Sequence, residues 1–443
     1  MSPMRWFLNL IYAALLTALS PVILWRMLRH GRYRRGLAEK LLGRITINHD
    51  GRPVAWFHAV SVGEVVQLQK VVDDFRRQTA DRSLVVVSTS TDTGFDLAQK
   101  RFPGCQVIWF PLDFSWAVHN ALQAIRPQLL VLMELELWPS LLLECRSRQI
   151  PVAIINARLS ERSFRRYLKV RRLLQPMFKA VSLAAAQSQA CASRLQTLGV
   201  AAAKIHVTGS VKFDGVECRP DNPQTQTLRN LFQIDAAAPV LMAGSTQAPE
   251  ELILLDVCRE LRQHHPNLQL ILVPRHRERF DEVAALVRAA ELPLLRRSTA
   301  VNAAAVTHDC VRLLDTIGEL SACWGLADIA FVGGSFGNRG GQNMIEPAAW
   351  GAAVTFGPNT WNFRDVVQIF RDSETCLPVD SPSELLPLFQ RWLNQPQERR
   401  RIGAAAAAVV RRQQGAVAAT SSLLLQLISL PPAQSETHPN RAA

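Results

Sequence analysis

The run Trp56-Phe57-His58-Ala59-Val60-Ser61-Val62-Gly63-Glu64 sets a serine and a glutamate three residues apart, where an apolar stretch gives way to a helical pattern. Two chemistries fit that spacing. Ser-x-x-Glu is a capping box, in which Ser61 accepts from the Glu64 amide and Glu64 reaches back. Alternatively Glu64 projects past a strand end as a general base, with Gly63 allowing close approach and the helix N-terminus holding an anion. A second pair of carboxylates, Glu134 and Glu136, closes the run LLVLMELE, and in an extended strand both point to one face. Lys212, in TGSVKFD, stands at another strand end, where an ammonium meets a phosphate or a carboxylate. Between them NARLSERSFRRYLKVRR supplies Asn156, Arg158, Arg162, Arg165, Arg166, Lys169, Arg171 and Arg172. These cations are either a solvated helix face or a surface for a phosphorylated or membrane-bound acceptor.

The second half repeats the theme with fewer carboxylates. Gly244-Ser245-Thr246 separates an apolar run from a helix starting at Pro249, a turn whose amides and hydroxyls can cradle an anion. Glu250 and Glu251 weaken that reading, because they already complement the helix dipole. Arg275, His276 and Arg277 follow the run LQLILVP, where cations can meet a phosphate. No Ser, Cys or second His near His276 suggests a nucleophile or a metal. The segment FVGGSFGNRGGQNMIEPAAWG carries Gly333, Gly334, Gly337, Gly340 and Gly341 ahead of a helix bearing Glu346. It fits neither a P-loop nor a dinucleotide fingerprint. A structural turn is one reading; a nucleotide-sugar site, with amides for phosphate and Glu346 for ribose hydroxyls, is the other.

These residues need a scaffold that gathers strand ends. Short Val-, Ile- and Leu-rich runs alternate with helix-length segments from Pro53 onward, the pattern of buried parallel strands in an α/β fold. Seven such runs precede Asp214 and six follow Val240, which predicts two Rossmann-like domains facing a cleft. The expected boundaries are an anchor over 1–30, a first domain over 31–217, a linker over 218–229, a second domain over 230–428 and a flexible tail over 429–443. At 443 residues, 48% hydrophobic and 20% charged, the chain is neither disordered nor fibrous. The net charge of +13 points to an anionic partner, and with few tyrosines and no stacking motif that partner is not nucleic acid. The eight cysteines include no C-x-x-C pair and read as reduced thiols.

Trp6 to Trp25 carry no charge over 20 positions, which at about 1.5 Å per residue covers the roughly 30 Å hydrocarbon layer. Arg26, Arg29, Arg32, Arg34, Arg35 and Lys40 follow, so the positive-inside rule places the body in the cytoplasm. The expectation is a single N-terminal anchor at the cytoplasmic face of a membrane, either spanning or lying on the inner leaflet among its lipids.

WFHAVSVGEV, STSTDTGFDLA, ELELWPS, NARLSERSF, TGSVKFD, AGSTQAPEE, VPRHRER, DTIGEL and GGSFGNRGGQNMIEPAAWG with GPNTWNF occur here in the order of the 3-deoxy-D-manno-octulosonic acid (Kdo) transferases of lipopolysaccharide synthesis, which the chain resembles as far as Asp365. The resemblance implies a GT-B glycosyltransferase, with acceptor on the first domain and CMP-Kdo on the second. It implies inverting transfer of Kdo to a tetraacylated lipid A precursor, lipid IVA, with Glu64 as general base. Arg275, Gly318, Glu319, Asn343 and Glu346 then match donor-nucleotide positions, joined by Ser245, Thr246 and His276 from their place at strand ends, and Ser61, Gly63, Glu136 and Lys212, with Arg158, line the cleft towards acceptor or sugar. The chain has no Asp-x-Asp pair and the donor a single phosphate, so neither metal nor cofactor is expected. One departure stands out, Gln342 where relatives carry a histidine. The alternative within this fold is a membrane-associated GT-B enzyme that uses another nucleotide sugar.

Overall fold

The computed structural model describes residues 3–30, 34–216, 221–302 and 306–430. Contacts divide the chain into two compact units, one made of Met1–Asp214 with Gln414–Ala443, the other of Gly215–Gln413.

The first unit is built on seven parallel strands, β1 (Val54–His58), β2 (Leu84–Thr89), β3 (Gln106–Trp109), β4 (Pro127–Met133), β5 (Val152–Ala157), β6 (Leu183–Ala186) and β7 (Ile205–Val207), ordered β3-β2-β1-β4-β5-β6-β7. β1 is buried at every position because helices cover both faces of the sheet. Ala55 and Phe57 pack against Leu68, Val72 and Phe75 of the helix Val62–Thr79. Val54 and Trp56 point the other way, towards Val118, Leu122 and Ile125 of the helix Ser115–Ile125. Truncating Phe57 to alanine would empty the centre of this layer at a cost of about 3–5 kcal/mol.

The second unit repeats the plan with β8 (Val240–Thr246), β9 (Gln269–Pro274), β10 (Leu294–Arg296), β11 (Val311–Leu313), β12 (Ile329–Val332), β13 (Ala353–Phe356) and β14 (Cys376–Pro378), ordered β10-β11-β9-β8-β12-β13-β14. Leu241, Ala243, Leu270, Leu272 and Phe331 form its core with Leu254, Leu255, Cys258, Phe389 and Trp392. The order of the first sheet reverses between β1 and β4, and the second sheet has a matching central reversal between β8 and β12. Crevices beyond the carboxyl ends of strands at such reversals are where open α/β sheets bind ligands.

Several boundaries differ from those the sequence suggests. The expected linker is partly the helix Pro223–Leu231, because Asn222 Oδ1 accepts from the Gln224 and Thr225 amides and Pro223 starts the first turn. The helix Pro396–Gln413 stops short of Gly415, whose φ of 100° only glycine adopts readily. Beyond it the helix Ala416–Leu425 leaves the second unit and packs Ala416 and Leu424 into the core of the first, so the second domain does not extend to 428. Residues 217–220 and 431–443, within the expected first domain, linker and tail, lie outside the described residues. β14, a three-residue edge strand, carries too short an apolar run to be read in advance.

At the N-terminus the helix Pro3–His30 is tied to the first unit at one end. Asn9 Nδ2 donates to Ser115 Oγ at 2.7 Å and Tyr12 Oη donates to Asp113 at 2.8 Å. Trp6, Leu10, Leu15, Leu19, Trp25 and Leu28 along it are exposed. Among the described residues no helix is long and apolar enough to cross a membrane. The described cysteines are free thiols, all but Cys105 buried.

Candidate active site

At the β1/β4 reversal the chain leaves β1 through Ala59-Val60-Ser61 and enters the helix Val62–Thr79. Ser61 caps that helix, its Oγ accepting from the Glu64 amide at 3.4 Å. Glu64 returns the interaction, Oε2 accepting from the Val60 amide and Oε1 from the Ser61 hydroxyl, each at 2.9 Å. The capping box therefore forms, reaching one residue further back than its usual geometry. Thr89 and Thr91 at the end of β2 hold the Val60 carbonyl, which steadies the loop. Gly63 is exposed, and a Cβ there would meet only Ser61 Oγ, 3.9 Å away.

Glu134 and Glu136 arrive at the same place by a different route from the expected one. β4 stops at Met133, and Glu134 turns the backbone into the left-handed region at φ 53°. The two carboxylates thus sit on a turn rather than alternating on a strand. Burial raises the Glu64 pKa, and the like charge of Glu134 raises it further against the hydrogen bonds from Val60 and Ser61. Glu136 is pushed up to about 7 by burial first, then by Glu64 and Glu134. The Asp113 carboxylate, buried and accepting from the Ser140 and Leu141 amides at 2.8 and 2.9 Å, fixes the helix that follows this turn.

Asn156, named in the sequence but given no role there, proves to be the brace of this end of the sheet. Buried at φ 51°, it donates to Gln67 of the Glu64 helix at 3.0 Å and accepts from the Val211 amide at 3.3 Å. It thereby links the Glu64 helix to the loop bearing Lys212, which is half-buried. Arg158 lies just beyond β5 on the exposed surface, and the helices Glu161–Lys169 and Arg171–Ala180 follow it.

At the β8/β12 reversal Ser245 and Thr246 do not form the open turn expected of them. Both belong to β8 and are buried, and the Thr246 hydroxyl points back to the Val273 carbonyl. Arg275 and His276 are exposed after β9, the Arg275 amide bonded to the Thr246 carbonyl at 3.0 Å. Gly318 has φ 93° and open space on its Cβ side, next to Glu319, which Arg297 holds at 2.9 Å and the Thr316 hydroxyl also contacts. Asn343 bridges its own turn, Oδ1 accepting from the Ile345 amide at 3.0 Å and Nδ2 donating to Glu346 at 2.8 Å.

The glycine-rich loop shows the largest departure from expectation. Its amides face a side chain of this protein, Glu250, and not an open cradle. Nothing local announces this, because the partners are more than 80 residues apart and meet only through the β8–β12 pairing. Among the described residues no group of three or more His, Cys, Asp or Glu side chains is placed to hold a metal ion.

The family model of 3-deoxy-D-manno-octulosonic-acid transferases (kdotransferase) matches residues 30–215. The 3-deoxy-D-manno-octulosonic acid transferase of Haemophilus influenzae is 35% identical over 399 residues, covering 88% of this chain and 92% of that protein. The chain belongs to the Kdo transferase family. Another relative, the 3-deoxy-D-manno-octulosonic acid transferase of Bordetella pertussis, is 34% identical and covers 81% of this chain and 85% of its own. The UDP-GlcNAc 2-epimerase of Neisseria meningitidis bound to UDP-GlcNAc shares the fold, with a TM-score of 0.55 at 12% identity over 85% of this chain and the whole of that one. The two sheets are thus the paired Rossmann-like domains of a GT-B glycosyltransferase. Within this Kdo transferase the described site falls into two groups, carboxylates at the first reversal and a glycine loop with Asn343 and Glu346 in the second unit.

Proposed function

We propose that the protein transfers Kdo from CMP-Kdo to the glucosamine disaccharide of lipid IVA, with inversion, and that Glu64 is the general base. The observation that carries this reading is the state of Glu64. It sits at a topological reversal, is held by Val60 and Ser61, and lies near Glu134, whose charge favours its taking a proton. In the reaction an acceptor hydroxyl oxygen forms a bond to the anomeric carbon while the bond from that carbon to the CMP phosphate oxygen breaks. The hydroxyl proton goes to Glu64, and the electron pair leaves with CMP. Charge grows on the phosphate as it departs, which favours cationic side chains such as Arg275 and amides near it. Asn343 and Glu346 hold each other in one geometry, suited to ribose hydroxyls. Neither a metal nor a cofactor enters this scheme.

The acceptor and the membrane enter the proposal through two surfaces of the first unit. Arg162, Arg165, Arg166 and Lys169 line one hollow beside Glu161, where phosphates of a lipid acceptor would be met by guanidinium groups. The exposed apolar side chains of the helix Pro3–His30 would enter lipid at the cytoplasmic face of the inner membrane, and its bonds through Asn9 and Tyr12 favour a helix lying along the surface. The test supplies full-length protein with CMP-Kdo and a tetraacylated lipid A precursor and weighs the lipid product. A mass gain of one or more Kdo units is expected. No gain with CMP-Kdo, alongside consumption of another nucleotide sugar, would overturn the donor assignment and leave the fold intact.

A further inference from the structure

Glu250 opens the helix Glu250–Arg262 directly after β8, and its carboxylate is 1% exposed. Four backbone amides converge on it. Oε2 accepts from Gln247 at 2.9 Å and Gly334 at 2.8 Å, and Oε1 accepts from Ser335 at 2.9 Å and Phe336 at 3.1 Å. Successive amides turned towards one point make a nest of the kind that elsewhere holds a phosphate or another anion. With two donors on each oxygen, a protonated carboxyl would lose at least one of these bonds. The close approach is sterically tight: a Cβ on Gly333 would lie 2.6 Å from the Ser245 carbonyl oxygen and 2.8 Å from Glu250 Oε2. Gly334 takes φ 66° between the side-chain amides of Gln247 and Gln342.

From this loop the bonding continues into the rest of the second-unit site. The Gly334 carbonyl accepts from the Gly341 amide and the Ser335 carbonyl from the Asn359 amide, at 2.9 and 3.0 Å. The Ser335 hydroxyl spans the Val332 carbonyl and the Gly357 amide, at 2.8 and 2.9 Å. Whatever fixes residues 334–336 therefore also fixes the start of the run that presents Asn343 and Glu346.

We infer that Glu250 is a positioning residue of the donor site: its carboxylate fills the amide nest of the glycine loop as a built-in anion, so the loop is shaped before donor arrives and the donor phosphate is bound elsewhere. This rests on the reading that the second unit takes a cytidine nucleotide. The consequence is that amides 334–336 are lost to phosphate recognition, which falls to side chains and other helix starts.

Two measurements test it on the full-length protein. In wild type, hydrogen exchange should show the Gly334, Ser335 and Phe336 amides protected without ligand and unchanged by CMP. Amides that exchange freely and become protected only with CMP would overturn the proposal. In Glu250→Gln, whose amide group sets N–H against N–H, CMP affinity by calorimetry should fall about tenfold or more, with donor KM rising in step. The value of kcat at saturating donor and the acceptor KM should stay within about twofold, a split that general loosening of the fold would not give. A folded Glu250→Gln with wild-type CMP affinity would overturn the proposal. Should that variant fail to fold, Gly334→Ala, which crowds the same loop, should give the same KM-specific loss, and wild-type CMP affinity in it would be equally fatal. Wild type that binds no CMP defeats the donor reading, and amide protection still decides the role of Glu250.

Discussion

Glu64 and Glu250 stand at matching points of the two units, each just past the strand beside a reversal and each in the first turn of the helix that follows. Their surroundings are opposite. Glu250 is buried with four amide donors, while Glu64 is only half-buried, has two donors and faces Glu134 and Glu136. Burial raises the pKa of both, but at Glu250 the other influences are amides alone, and at Glu64 the Glu134 carboxylate adds to the rise. A carboxylate saturated with donors serves as structure. One short of donors and crowded by like charge is suited to accept a proton.

The sharpest way to break the comparison is Glu64→Gln. Glutamine is also a capping-box residue at this position, so stability should change little while turnover falls about 10²- to 10⁴-fold. CMP affinity should hold at the wild-type value, the reverse of the pattern expected for Glu250→Gln. Activity retained in a folded Glu64→Gln, measured by product mass over time, would reduce Glu64 to a helix cap.

Local features of these two sites were legible in the chain, and distant ones were not. Ser61 and Glu64 are three residues apart, so cap and helix start could be read directly, and thirteen of the fourteen strands announce themselves as apolar runs. Glu250 reads locally as dipole compensation. Its actual partners come from a loop 84 to 86 residues away, and only strand order brings them together. Glu134 and Glu136 were legible as a pair but not as a turn, because the left-handed conformation of Glu134 is not a property that glutamate signals. The helix Ala416–Leu425 shows the same limit, since a short apolar helix rich in alanine and leucine does not state which core it will join.

The next largest effect concerns pH, where Glu136→Gln sharpens the contrast. Burial, and after it Glu64 and Glu134, push the Glu136 carboxyl up to about 7 from the ordinary 4.5, so the fold favours its neutral form. The folded state then binds more protons than the unfolded one between those values, and stability is lost as pH rises from about 4.5 to about 7. Glu136→Gln should therefore unfold at a higher temperature than wild type at pH 8, with the gain vanishing by pH 4. Glu134→Gln, which removes the like charge that raises the Glu64 pKa, should lower that pKa, so the acid limb of kcat/KM should move to lower pH. Identical limbs in variant and wild type would show that the carboxylates do not sense each other.

The smallest effect, and the most discriminating in sign, is that of Ser61→Ala. The substitution removes the acceptor for the Glu64 amide, at a cost of about 1 kcal/mol measurable by urea unfolding. It also removes the hydroxyl hydrogen bond that helps stabilise ionised Glu64, so the Glu64 pKa should rise and the acid limb of kcat/KM move to higher pH, opposite to Glu134→Gln. Because Ser61 belongs to the first unit and the proposed donor site to the second, CMP affinity should not change. If both variants moved the limb the same way, the titrating group would not be Glu64, and the functional distinction drawn between the two glutamates would fall with it.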